Sequence, residues 1–210
     1  MKGLFISFEG IEGTGKTTQA RLLAEYLKAR GQDVLLTEEP GGTQIGKRIR
    51  EVLLNVEHRE MGSLTELLLY NASRAQHIHE LILPALKAGK VVITDRFSDS
   101  TTAYQGYGRG IDLKLLKSLD NIATGGFRPD LTCLLDLDAE TGLRRNRGAN
   151  KIDRLELEEI DFHKRVKDGF LKLAEKEHGR IRVIDASGNV NDIQNRIRET
   201  VEGFLKSSIN

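Results

Sequence analysis

An α/β fold, five parallel strands covered by helices on both faces, is predicted by two observations on this 210-residue chain. Short β-branched apolar runs alternate with longer stretches of helical periodicity, and each apolar run ends in polar residues. The strands are read at LFISFE (Leu4 to Glu9), DVLLTE (Asp33 to Glu38), KVVITD (Lys90 to Asp95), LTCLLDL (Leu131 to Leu137) and RIRVID (Arg180 to Asp185). Helical patterns fill 17–30, 44–54, 64–87, 113–123, 139–145, 155–178 and 190–206. Gly31 and Gly89 stand where helices end just before strands begin. The length suits one domain, 1–210, and there is no repeat or linker to divide it. In a sheet of this kind ligands bind beyond the carboxyl ends of the strands, so the polar residues there are the candidates for function.

Composition narrows the classes. Lys plus Arg number 32 against 31 Asp plus Glu, so no global field argues for nucleic acid or an anionic membrane. Any charge effect must be local. The single cysteine, Cys133, lies in an apolar strand and reads as a small core residue in a reducing cytoplasm. MKGLFISFEG has too little apolar length for a signal peptide, and no segment approaches the roughly 20 apolar residues of a membrane span. A soluble, intracellular protein is expected.

GIEGTGKT, Gly10 to Thr17, matches G-x-x-x-x-G-K-[ST] between a predicted strand and a predicted helix, the context a phosphate-binding P-loop requires. The expected donor-nucleotide set is Gly10, Ile11, Glu12, Gly13, Thr14, Gly15, Lys16, Thr17 and Thr18. Its glycines turn backbone N–H groups toward phosphate, Lys16 reaches the terminal phosphates, and Thr17 sets its hydroxyl on Mg²⁺. ITDRF closes the third strand with Asp95, a second Mg²⁺ ligand, and Arg96, a phosphoryl clamp. The run RRNRGANKIDR, 144–154, is read as a basic lid that steadies the transferred phosphoryl group.

EEPGGT (38–43), YNASRAQH (70–77), DRF (95–97) and TTAYQGYGRG (101–110), in this order after the phosphate loop, resemble bacterial thymidylate kinase over nearly the whole chain. The resemblance implies a P-loop NTPase fold, ATP with Mg²⁺ as donor, thymidylate (dTMP) as acceptor and a homodimer. It also implies acceptor contacts from Glu12, Glu39, Pro40, Arg50, Tyr70, Arg74, Arg96, Ser100, Thr101, Tyr104 and Gln105. In that scheme Arg50 and Arg96 hold the phosphate, Tyr70 stacks near the base, Arg74 and Gln105 meet its polar edge, and Tyr104 crowds the sugar 2′ position. Lys16, Asp95, Arg96 and Arg147 carry catalysis. Arg145 is assigned to ATP, with Arg147 and Lys151 as alternatives for the lid contact. His77 and His79 are read as polar helix positions.

Glu12 is a carboxylate inside a loop built for anions. It cannot favourably face phosphate, so it is expected to turn toward the acceptor and bind the sugar 3′-OH, with the lid arginines supplying the positive charge that the loop lacks. The rivals are a kinase for another nucleotide or small molecule, and a P-loop ATPase switch with no small-molecule acceptor.

Overall fold

The computed structural model describes residues 3–148 and 153–207, the side chains of Arg147 and Ser207 excepted. Five strands, β1 (Leu4–Glu9), β2 (Val34–Glu38), β3 (Val91–Asp95), β4 (Leu131–Asp136) and β5 (Ile181–Asp185), form one sheet in the order β2-β3-β1-β4-β5. Every pairing is parallel, with Phe8 opposite Asp95 on one side and Cys133 on the other. The central β1 is buried on both faces, which is why its sequence is a nearly continuous apolar run. Ile6 and Phe8 pack beneath α1 (Lys16–Ala29) and the last helix, α9 (Val190–Ser207), with Leu23, Leu27, Ile193 and Ile197. On the opposite face Phe5 joins Ile82, Val92 and Phe97.

The remaining helices are α2 (Gln44–Leu54), α3 (Ser63–His77), α4 (Leu83–Lys87), α5 (Ser98–Thr101), α6 (Leu113–Thr124), α7 (Ala139–Gly148) and α8 (Ile160–Lys176). Three expectations need correction. The long helix expected over 64–87 contains a π-helical turn, Ile78–Ile82, ahead of Pro84, whose ring cannot continue the regular hydrogen-bond ladder. The helix expected from Leu155 begins at Ile160, because Asp153 Oδ1 accepts from the backbone N–H groups of Leu155 and Glu156 and holds them in a turn. Residues 98–108, given no helix from the sequence, form α5 and a second π-helical segment, Thr102–Gly108, packed on α8.

Candidate active site

The crevice opens where β1 leaves the sheet between β3 and β4, with the phosphate loop at its floor. Gly13 and Gly15 take φ of 71° and 91°, the left-handed region that side chains avoid. A Cβ on Gly13 would lie 2.0 Å from the carbonyl oxygen of Gly142, so loop and α7 meet backbone to backbone. Lys16 Nζ donates to Ile11 O at 2.7 Å, and burial pushes its ammonium down to about 8. An ammonium held by a loop carbonyl and short of solvent is prepared to meet phosphate oxygens.

Thr17 Oγ1 donates to Asp95 Oδ2 at 2.5 Å, while Asp95 Oδ1 is buried and, among the described residues, meets no donor. One uncommitted carboxylate oxygen beside a threonine hydroxyl fits Mg²⁺, which takes few protein ligands and completes its shell with water and phosphate. Arg96 follows at φ 70°, the only positive φ recorded outside glycine among the described residues. Its guanidinium donates to Gly10 O (3.1 Å), Ser100 Oγ (3.1 Å), Glu12 Oε1 (3.2 Å) and the Tyr104 hydroxyl (3.2 Å). Glu9, a residue not singled out in the sequence, fixes this bend from beneath. Its carboxyl accepts from Phe97 N and from Ser100 N and Oγ at 2.5 to 3.3 Å. Burial, with Asp99 nearby, raises it to about 8. Its position in the apolar strand FEG was the available signal.

Glu12 turns away from the loop amides. Tyr104 donates its hydroxyl to Glu12 Oε1 at 2.5 Å, and buried His163 brings Nδ1 within 3.3 Å of Oε2 without the alignment of a hydrogen bond. Burial alone would raise the Glu12 carboxyl, but His163, Arg96, Lys16 and Tyr104 outweigh it and hold it down at about 2. Glu12 therefore contributes stability in full above its ordinary 4.5, and that contribution is lost as pH falls toward 2.

Across the crevice Arg74 is fully buried. Its Nε donates to Glu39 Oε2 at 2.9 Å, Nη2 to Thr101 Oγ1 at 2.8 Å, and Nη1 lies 3.5 Å from Asp120. His77, expected as a polar helix position, is instead buried with Thr37 at 2.7 Å and Glu39 at 2.9 Å. It passes so close to the EPGGT turn that a Cβ on Gly42 would meet its ring at 2.6 Å. His79 is exposed, as a polar helix position should be. Arg50 donates to Pro40 O at 2.7 Å and pairs with Glu38 at 3.5 Å.

These side chains line one cleft of roughly 470 Å³. It brings together Glu12, Gly13, Gly15, Lys16, Thr17 and Thr18 with Asp95, Arg96, Ser100, Thr101, Tyr104 and Gln105. Glu39, Pro40, Arg50, Tyr70, Arg74 and Arg145 complete the expected set on its walls. Gly10, Ile11 and Thr14, also in the loop, do not line it. The Arg147 side chain and Lys151 fall outside the described residues. Leu54, Phe97, Asn146, Asp153, Leu155 and Glu156 line it without having been expected.

A phosphate loop closing the central strand of this sheet, with a strand-end Asp-Arg pair beside it, defines a P-loop nucleotide-binding protein. The family model described as Thymidylate kinase matches residues 8–197. Among curated proteins, the chain is 50% identical over 210 residues to thymidylate kinase of Desulfovibrio desulfuricans, covering 97% of both chains. It is also 50% identical over 208 residues to that of Halothermothrix orenii, covering 98% of this chain and 99% of the relative. A crystal structure of thymidylate kinase from Ehrlichia chaffeensis superposes with a TM-score of 0.78 at 36% identity, over 96% of this chain and 99% of that one. The chain belongs to the thymidylate kinase family.

Proposed function

We propose that this chain performs the reaction of its family, moving the γ-phosphoryl group of ATP to thymidylate to give ADP and thymidine diphosphate. The supporting observation is that one cleft is lined by Lys16, Thr17 and Asp95 together with Arg50, Tyr70, Arg74, Gln105 and Arg96. Two polyanions laid end to end would meet at Arg96. The attacking group is a phosphate oxygen, mostly ionised at neutral pH because its second pKa is about 6, so no general base is needed. Catalysis is then positioning and charge stabilisation.

Lys16 would exchange its bond to Ile11 O for the β- and γ-phosphates, and Arg96 would bridge acceptor and transferred phosphoryl. Thr17 and Asp95 would hold Mg²⁺, which when bound neutralises charge on the donor phosphates. The lid, 144–154, would bring Arg145 and Arg147 over the donor. Formation of ADP with each nucleoside monophosphate in turn tests the reading. Thymidylate should be the best acceptor, and indifference to the monophosphate would favour an ATPase switch.

Glu12 is assigned to the sugar 3′-OH because it sits with Arg96 and Tyr104 on the acceptor side of the loop. Glu12→Gln should lower acceptor efficiency about ten- to a hundredfold, the scale of a charge-assisted hydrogen bond of roughly 1.5 to 3 kcal/mol, and should alter ATP binding far less. A 3′-deoxy acceptor, already poor with the wild type, should lose little more in the variant. Steady-state kinetics showing additive losses would remove Glu12 from the sugar.

A homodimer is proposed through α2, α3 and α6. Ile45 and Val52, Leu64 and Leu68 (54% and 47% exposed), and Leu115 and Ile122 (80% exposed) place apolar side chains on three adjacent helices at turn-spaced positions. Light scattering should return twice the 23.5 kDa chain mass, and a monomer at micromolar concentration would contradict it. Cytoplasmic action is proposed on the strength of Cys133, a buried free thiol that needs no oxidising compartment. No helix among the described residues is long and apolar enough to cross a membrane.

A further inference from the structure

Glu66, on α3, has no surface exposure, yet three donor residues from two other segments reach it. Its Oε1 accepts from Gln105 Nε2 at 2.8 Å and Arg109 Nε at 3.3 Å. Its Oε2 accepts from Arg109 Nη2 at 3.2 Å and from Arg154 Nη2, at the end of the lid. Arg154 is itself fixed by the C-terminal carbonyl of α2, with Nε donating to Leu53 O at 3.0 Å. Burial would raise the Glu66 carboxyl, but the hydrogen bonds from Arg109 and Gln105 and the charges of Arg109 and Arg154 hold it below the usual carboxylate range. It is therefore an acceptor with no proton to give.

That constraint decides an ambiguity in Gln105. A carboxamide can turn over, exchanging donor for acceptor, at little cost unless a neighbour forbids it. The Glu66 carboxylate takes only an N–H, so Gln105 must direct Nε2 toward it and keep Oε1 as the face offered to the cleft. Among the described residues no hydrogen bond reaches that oxygen. We infer that Glu66 is a specificity-determining positioning residue: by fixing the Gln105 amide it presents an acceptor to the base, which suits the N3–H of thymine and opposes the N3 lone pair of cytosine. The inference rests on the acceptor reading proposed above. Arg74, a donor that lines the same cleft, suits a thymine carbonyl and opposes the cytosine amino group, so the two residues discriminate in the same sense.

Glu66→Gln supplies the test, because it changes hydrogen bonding without changing shape. Arg109 and Arg154 cannot become acceptors, so the amide oxygen takes the Oε2 position, where it keeps both Arg109 Nη2 and Arg154 Nη2; this sacrifices only the longer Arg109 Nε contact (3.3 Å) and turns the N–H₂ toward Gln105. Gln105 answers by turning over and offering N–H to the cleft. Thymidylate efficiency should fall about ten- to a hundredfold, and the thymidylate-to-cytidylate ratio of kcat/KM should narrow by at least about tenfold. In a Gln105→Ala background Glu66→Gln should leave that ratio unmoved. If the single variant does not fold, Glu66→Gln with Arg109→Gln removes an anion and a cation together and carries the same expectation. A ratio unchanged from wild type, or one that still shifts when Gln105 is absent, overturns the inference. A wild-type protein that phosphorylates no thymidylate would instead overturn the acceptor reading beneath it.

Discussion

Lys16→Ala is expected to lower turnover by about two to three orders of magnitude or more while the fold persists, the scale seen when a charge-stabilising group is removed from a transition state. The ammonium lies in the loop rather than the core: its partners are Ile11 O at 2.7 Å and Thr14 Oγ1 at 3.4 Å. Burial has already depressed its pKa to about 8, so the protein spends stability to keep a charge there. Truncation should therefore leave thermal unfolding close to wild type even as phosphoryl transfer collapses. Near-normal turnover in the variant would remove the phosphate-loop assignment.

Arg96→Ala should be as severe for activity and should also destabilise. Four hydrogen bonds converge on this guanidinium, and without it the Glu12 carboxylate stays buried with one cation fewer. The expected scale is about 3 kcal/mol for removing one partner of a buried pair, alongside a loss of about a hundredfold or more in kcat/KM for thymidylate. The backbone gives a control. At φ 70° alanine keeps the strain that arginine bears, whereas glycine releases it, so Arg96→Gly should be more stable than Arg96→Ala by about 1 kcal/mol while remaining equally inactive. Urea unfolding of the pair separates strain from charge, and equal stabilities would contradict the reading of this bend.

The frame was legible because its signals are local. Parallel strands buried on both faces read as apolar runs, and LFISFE and KVVITD are such runs; the phosphate loop announces itself through glycines that the tight turn demands. What failed to show depends on distant partners. TTAYQGYG holds two glycines and no helical period, yet it winds into a π-helical segment because α8 packs there: a Cβ on Gly108 would lie 2.7 Å from Phe162. His77 reads as polar helix surface until Thr37 and Glu39, some forty residues away in sequence, close over it. Glu66 likewise reads as a first-turn acid of α3, and only its contacts with Gln105, Arg109 and Arg154 show a carboxylate set behind the acceptor pocket. The arginines of the cleft were readable as residue types, but which oxygen each holds is a product of the fold.

Phosphoryl transfer from ATP to thymidylate is tested by following both nucleotides at once. With the purified protein, ATP, Mg²⁺ and thymidylate, phosphorus NMR resolves every phosphate in the mixture. ADP and thymidine diphosphate should rise together, one for one, with no inorganic phosphate released at a comparable rate. ADP accumulating with inorganic phosphate while thymidylate remains unchanged would contradict that transfer and identify the cleft as an ATP-hydrolysing switch.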